Sequence, residues 1–388
     1  MKKISWIMWA AITIILAAGG TVYFVEKKSS KVTENNQQAE ALPFGDKFNT
    51  IIIGWDGVQR DHFLECYNEI LPECPNGLTN IKNLSSDNIY NLTITNGATS
   101  TKPGWVQILT GYNSEVSGTK TNDNYSPIPS GYSLFEKVEN NYPEIKTIFL
   151  AAKIDNLGGK CKDEVAENGT IELVGEPWCD VKNEVDYFQN GLKENEITGD
   201  KSLEMIEKYK SDRFLLFVHF AEPDGAGHKY GENSIEYSDA IIEIDAWLGK
   251  IVAKLAELNL ENKTMIYVAA DHGFDQDAKS HNNAPYSIYA TNDQSVVRAA
   301  DRRDIAPTIL KKYGISLSES GAVPAVDGTP LDIIPTECVK EGESYLDYAG
   351  APKCCTGLQV RNLDLVGNSG KITPATGGTG DNSGLCVK

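Results

Sequence analysis

The chain has 388 residues, 41% hydrophobic and 9% aromatic, which suits a packed globular protein and leaves room for one large α/β domain with appendages. Its net charge is −18; residues 1–30 carry four lysines against one glutamate, which leaves about −21 on the rest. Such a surface repels polyanions at long range and no basic stripe offsets it, so binding of nucleic-acid polymers is not expected.

Taken in chain order, the first 26 residues are MKK, an uncharged run over 4–25, and Glu26. As a helix rising about 1.5 Å per residue, that run could cross a hydrocarbon core of roughly 30 Å. Ala17, Ala18, Gly19 and Gly20 could instead supply the small residues of a cleavage site. A membrane anchor and a cleaved signal sequence both fit, and either exports the remainder. Residues 27–46 are polar and read as a linker.

Residues 47–334 read as the main domain. Continuous apolar runs at 50–55, 91–95, 147–152, 214–220 and 264–270 fit strands covered on both faces. Between them, residues 234–258 place Ile241, Ile244, Leu248, Ile251 and Leu255 at helical spacing, and 304–314 reads as a helix stopped by Gly314. The alternation predicts a doubly wound, mostly parallel sheet with helices on both faces. Ligands of such sheets sit at the carboxyl ends of the strands. Residues 155–210 are polar, interrupt the alternation and read as an inserted lobe. Residues 335–388 hold four cysteines among many glycines and read as a stapled tail.

The eight cysteines are even in number and lack zinc-ribbon spacing, which fits an oxidising, extracytoplasmic compartment. Cys66 with Cys74 and Cys161 with Cys179 suit local staples. Cys338, Cys354, Cys355 and Cys386 would pair among themselves in an order that spacing does not fix.

Four short segments and a trailing histidine carry the chemistry: GWDG with Asp56, TSTKPGW with Thr101, EPDGAGH with Asp224 and His228, ADHG with Asp271 and His272, and SHN with His281. Three of them directly follow apolar runs. Carboxylates, imidazoles, no thiolate and one hydroxyl suit two divalent ions beside a nucleophile. The mixed set points to zinc, with manganese as the alternative. Each segment alone has a plainer reading: Thr101 as a helix N-cap, Asp271 as a strand-end cap, Asp224 and His228 on a glycine-rich surface turn, His281 as an exposed histidine. Their joint occurrence favours the site. Pro103 suits a first helical turn, so Thr101 would stand at a helix N-terminus, where an anionic phosphate is favoured. His219, inside an apolar strand, reads as packing or support for the ligands, and His62 as a surface or helix residue.

In these motifs the chain resembles the alkaline phosphatase superfamily, most of all its type I phosphodiesterase/nucleotide pyrophosphatase branch, over about residues 48–316. The resemblance implies an alkaline-phosphatase-like fold. It implies that Asp56, Asp271 and His272, with Thr101, hold the nucleophile-side metal, and that Asp224, His228 and His281 hold the other. Asn122, eleven residues past Gly111, falls where the branch has an asparagine contacting a phosphoryl oxygen. Two positions depart from the pattern. Lys102 stands where the branch usually has an aromatic or small residue, and Lys153 resembles a phosphate-gripping lysine of some monoesterases. Both are candidates to grip the phosphoryl group. A sulfatase is disfavoured, because Thr101 cannot become formylglycine.

The expected function is an exported, metal-dependent phosphohydrolase that cleaves phosphodiester or pyrophosphate bonds of a small phosphate ester, nucleotides included, through a phospho-threonine. The alternatives are a phosphomonoesterase or phosphonate hydrolase on the same site and, from another class, an inert surface binding protein. No motif sets an oligomeric state.

Overall fold

The computed structural model describes residues 49–85, 89–93, 98–165, 170–284, 286–335, 338–341, 344–345, 353–362, 372–373 and 384–388. The apolar run at 4–25 and the linker lie outside them. Among the described residues no helix is long and apolar enough to cross a membrane.

The body begins with β1 (Asn49–Trp55), α1 (Arg60–Tyr67), α2 (Thr79–Ser85) and β2 (Ile89–Thr93). Then come α3 (Thr101–Thr110), α4 (Ser114–Ser117), α5 (Leu134–Asn141), β3 (Lys146–Ala151), and the hairpin β4 (Cys161–Val165) and β5 (Ile171–Gly175). After β6 (Tyr187–Gln189), α6 (Asn195–Lys208), β7 (Phe214–Phe220), α7 (Glu222–Tyr230) and α8 (Ile235–Glu257), it closes with β8 (Thr264–Ala270), β9 (Tyr286–Thr291), β10 (Ala300–Asp301) and α9 (Ile305–Lys312). Eight strands form one sheet in the order β10-β2-β9-β8-β1-β7-β3-β6. All neighbours are parallel except those of β9, which runs antiparallel to β2 and β8.

The continuous apolar runs are buried on both sides because successive side chains serve two cores. Ile51, Ile53 and Trp55 pack beneath α1, α6 and α8, whereas Ile52 joins α3, α5 and α9 on the opposite face. Each such burial contributes about 1.5–3 kcal/mol, so a one-residue slip of β1 would exchange the two faces. The register therefore holds, and it builds the site. Trp55 lies opposite both Phe220 and Ala270, so β7, β1 and β8 end at one level. The residues that follow, Asp56, the first turn of α7 with Asp224, and Asp271, leave the sheet side by side.

Two expectations need correction. The segment 155–210 is not one inserted lobe. Only the β4–β5 hairpin stands apart from the main sheet; β6 pairs in parallel with β3, and Met205 and Ile206 of α6 join the core. The polar character of this stretch comes from an edge strand and a half-exposed helix. The EPDGAGH segment is a helix, α7, rather than a surface turn. Pro223 sits in its first turn, Glu222 and Asp224 lie at its amino end and His228 at its carboxyl end, each where the helix dipole favours it. Gly227 is tolerated because the Phe274 ring fills its space: a Cβ there would lie 2.5 Å from that ring.

All eight cysteines are paired: Cys66–Cys74, Cys161–Cys179, Cys338–Cys355 and Cys354–Cys386. The last two staple a tail whose strands β11 (Ser344–Tyr345), β12 (Gln359–Asn362), β13 (Ile372–Thr373) and β14 (Gly384–Val387) form an antiparallel sheet.

Candidate active site

Thr101 is the first residue of α3 and is 2% exposed. Ser100 precedes it as N-cap without a capping side-chain bond. The Thr101 hydroxyl lies 3.4 Å from His272 Nε2 and 3.4 Å from Lys153 Nζ. Asp56, Asp271 and His272 are fully buried around it. Asp224 and His228, four apart on one face of α7, bring Asp224 Oδ1 to 3.3 Å from His228 Nε2. His281 Nε2 lies 3.2 Å from His228 Nε2, and the His281 ring stacks on His272 at 4.1 Å. All seven expected ligand residues thus meet in one pit. Two groups have ligand atoms within 4.8 Å of one another: Asp56, Asp271 and His272, and Asp224, His272 and His281. His272 stands between the two, which places it centrally instead of on the nucleophile side alone.

The tautomers follow from the backbone. Nδ1 of His272, His228 and His281 faces the carbonyl of Gly273, Lys279 and Thr99, respectively. A carbonyl only accepts, so each Nδ1 carries a proton, and in its neutral form each ring turns an Nε2 lone pair into the pit. Opposite stand Asp56 Oδ1, Asp224 Oδ1 and Asp271 Oδ2, buried and without a hydrogen bond. Nε2 atoms face these oxygens at 3.4, 3.3 and 3.6 Å. Lone pair against lone pair in a buried pit is repulsive unless positive charge, a proton on Nε2 or a metal ion, lies between, and an unpartnered buried polar atom costs about 1–3 kcal/mol. The residues present therefore fit divalent cations.

The ionisation of the pit points the same way. Burial raises Asp271, and the neighbouring Asp56 charge adds to it, to about 7. Burial alone would also raise Asp56, but the Lys153 ammonium and the His219 hydrogen bond hold it well below the usual carboxylate range. Burial opposes a charge on His272, yet Asp271 and the other carboxylates lift it to about 9, so without a metal a second proton on His272 supplies positive charge where an ion would. Three carboxylates in one buried site draw in whatever cation they can.

Other residues fix the ligands. His219 Nε2 donates to Asp56 Oδ2 at 2.8 Å while its ring packs edge-on against Trp105, so it serves packing and ligand support together. The Gly57 amide donates to Asp271 Oδ1 at 3.1 Å, and the Tyr237 hydroxyl bonds the Gly57 carbonyl at 2.6 Å. The buried Arg302 donates to the Asp271 carbonyl at 3.0 Å. Tyr237 in α8 and Arg302 just before α9 lie far along the chain and carry no motif, so spacing could not have singled them out. His62 is a buried α1 residue bonded to Ser238 Oγ at 2.9 Å, not a surface one.

The three expected phosphoryl contacts differ in placement. Lys153 Nζ lies 2.7 Å from Asp56 Oδ2 and 2.8 Å from Asp224 Oδ2, inside the pit. Asn122 accepts, through Oδ1, the backbone N–H of Lys102 at 2.9 Å. The Lys102 ammonium is engaged elsewhere, by Glu176 Oε2 at 2.8 Å and the Asn122 carbonyl at 2.8 Å.

The family model for type I phosphodiesterase / nucleotide pyrophosphatase matches residues 50–312, a span that contains every one of these groups. The chain belongs to the type I phosphodiesterase / nucleotide pyrophosphatase family. Among relatives of this phosphodiesterase-family chain is mouse ectonucleotide pyrophosphatase/phosphodiesterase family member 3, 29% identical over 262 residues, covering 64% of this chain and 28% of that protein. Another is the 2,3-bisphosphoglycerate-independent phosphoglycerate mutase of Staphylococcus haemolyticus, 24% identical over 228 residues, covering 52% of this chain and 40% of the mutase. The chain thus spans less than half the length of either relative. The crystal structure of the lipoteichoic acid synthase LtaP from Listeria monocytogenes shares the fold with a TM-score of 0.51 at 14% identity, covering 74% of this chain and 76% of that one. The family match and the LtaP likeness agree with a mostly parallel, alkaline-phosphatase-like fold.

Proposed function

We propose that this chain is an exported two-metal phosphohydrolase that cleaves phosphodiester or pyrophosphate bonds of small phosphate esters, nucleotides included, with Thr101 as nucleophile. The observation that carries this reading is the set of buried carboxylate oxygens facing histidine Nε2 atoms beside the Thr101 hydroxyl. Asp56, Thr101, Asp271 and His272 would hold one divalent ion and Asp224, His228 and His281 the other, zinc by ligand type with manganese as the alternative, supplying positive charge to the transferring group and the leaving oxygen. The Thr101 oxygen attacks phosphorus in line, a Thr–O–P bond forms and the bond to the leaving oxygen breaks. The hydroxyl proton leaves with the departing oxygen, directly or through water. A second water then hydrolyses the Thr–O–P bond, releasing the remaining phosphomonoester (phosphate itself only if the substrate is a monoester) and restoring the hydroxyl. Asn122 donates from its amide to a non-bridging oxygen. The α3 amino terminus adds its dipole to the same charge.

The paired cysteines and the apolar run at 4–25 support export, and the negative surface supports a small substrate rather than a nucleic-acid polymer. Lys153, 3.4 Å from the Thr101 hydroxyl, favours a second reading on the same site, a phosphomonoesterase or phosphonate hydrolase, because a cation there can grip a doubly charged phosphoryl group. The test of the nucleophile is Thr101→Ala. It should lower kcat by at least about 10³-fold while the two metals stay bound. Wild-type turnover in that variant would remove Thr101 from the mechanism.

A further inference from the structure

Lys102 differs from what its place beside the nucleophile suggests. Its side chain is 7% exposed, and its ammonium is already satisfied by Glu176 Oε2 at 2.8 Å, by the Asn122 carbonyl at 2.8 Å and by the face of Tyr125, 3.5 Å from the ring centre. Tyr125 closes the cluster by donating its hydroxyl to Glu176 Oε1 at 3.0 Å. The backbone of Lys102 also holds Asn122, since its N–H donates to Asn122 Oδ1 at 2.9 Å. One residue therefore grips Asn122 at its side-chain oxygen and at its carbonyl. With Oδ1 facing a donor, the amide NH₂ must point the other way, free to serve as a donor.

Glu176 is not a surface carboxylate that happens to lie near. It follows β5 directly, and its stem packs over Gly159: a Cβ at Gly159, whose φ is +85°, would lie 2.4 Å from Glu176 Cγ. The Cys161–Cys179 disulfide closes the same hairpin, and the Pro177 carbonyl accepts the Ile128 amide at 3.0 Å at the far end of the Asn122 loop. The hairpin outside the main sheet is thus bolted to the loop that presents Asn122.

We infer that Lys102 is a positioning residue, locked by Glu176 and Tyr125 of the hairpin clasp, that sets the orientation of Asn122 and does not itself grip the phosphoryl group. The inference rests on the proposed role of Asn122 for its kinetic consequence, but not for the clasp itself.

Two readouts separate these parts. Amide hydrogen exchange is followed in the full chain for segment 119–126, where the Lys120 and Thr121 amides bond the Asn124 carbonyl at 2.8 and 3.1 Å. Glu176→Gln and Lys102→Met should each speed exchange there, Lys102→Arg should restore it, and α8 should stay unchanged. Unaltered exchange in both variants would overturn the clasp, whether or not the enzyme turns over any ester. In kinetics, Lys102→Met should lower kcat/KM about 10-fold, the size of a lost supporting contact. It should cost nothing further in an Asn122→Ala background. An equal loss in both backgrounds would mean that Lys102 acts on the substrate directly and would overturn the inference. Failure of the wild-type chain to hydrolyse any phosphate ester would sink the proposed function, and the exchange experiment would still decide the clasp.

Discussion

The two halves of the pit are built differently. On the nucleophile side, Asp56, Asp271 and His272 are 0% exposed and leave strand ends whose register is fixed by two cores. Each is held again from behind: Asp56 by His219, Asp271 by the Gly57 amide, His272 by the Gly273 carbonyl. On the outer side, the His228 side chain is 48% exposed at the end of a nine-residue helix, and His281 sits in a polar loop held through Thr99. A ligand cage fixed by core packing cannot open without local unfolding, whereas one built on a helix end and a loop can exchange its ion and admit a leaving group. The inner half should behave as a structural constant of the site and the outer half as its adjustable part.

The sharpest way to break this comparison is to remove one ligand from each half. Asp271→Asn should empty the inner position and abolish measurable turnover, with no recovery in excess zinc. His228→Ala should lower activity by about 10²-fold at trace metal and regain much of it as zinc is added, because Asp224, His272 and His281 still converge. Metal content by mass spectrometry beside activity decides the matter, and equal rescue of both variants would erase the distinction. A smaller effect should follow from His219→Phe, which keeps the packing against Trp105 and removes the hydrogen bond to Asp56. Inner-site affinity in chelator competition should fall about 10- to 100-fold, as for other supporting contacts, while the outer site is untouched. If the outer ion were lost first, the inner half would not owe its rigidity to this partner.

How much of this could be read in the sequence follows the same division. The strands β1, β7 and β8 were legible because burial on both faces leaves an unbroken apolar run, and the ends of β1 and β8 were legible because Asp56 and Asp271 break those runs directly. The inner ligands were therefore plain. The outer ones were legible as residue types but not as structure. Two glycines and a proline in nine residues suggest a turn, whereas α7 is a helix whose Gly227 leaves room for the Phe274 ring. The edge strand β6, three residues long, and the half-polar α6 gave too little periodicity to be separated from the hairpin beside them. Least legible was the clasp on Lys102. Glu176 lies far along the chain, and only the fold of the hairpin brings its carboxylate to 2.8 Å from the ammonium. A lysine beside a nucleophile reads as a phosphate grip until its partner is seen.

The central claim is that this pit transfers a phosphoryl group from a diester. The most direct test is paired steady-state kinetics of the zinc-loaded chain on bis-nitrophenyl phosphate and on nitrophenyl phosphate. A phosphodiesterase should show a kcat/KM for the diester that exceeds that for the monoester by at least about 10-fold, a difference of about 1.4 kcal/mol in transition-state stabilisation. A preference for the monoester would move the enzyme to the phosphatase reading, with Lys153 as the phosphoryl grip. No turnover of either ester with both metals bound would contradict the account outright.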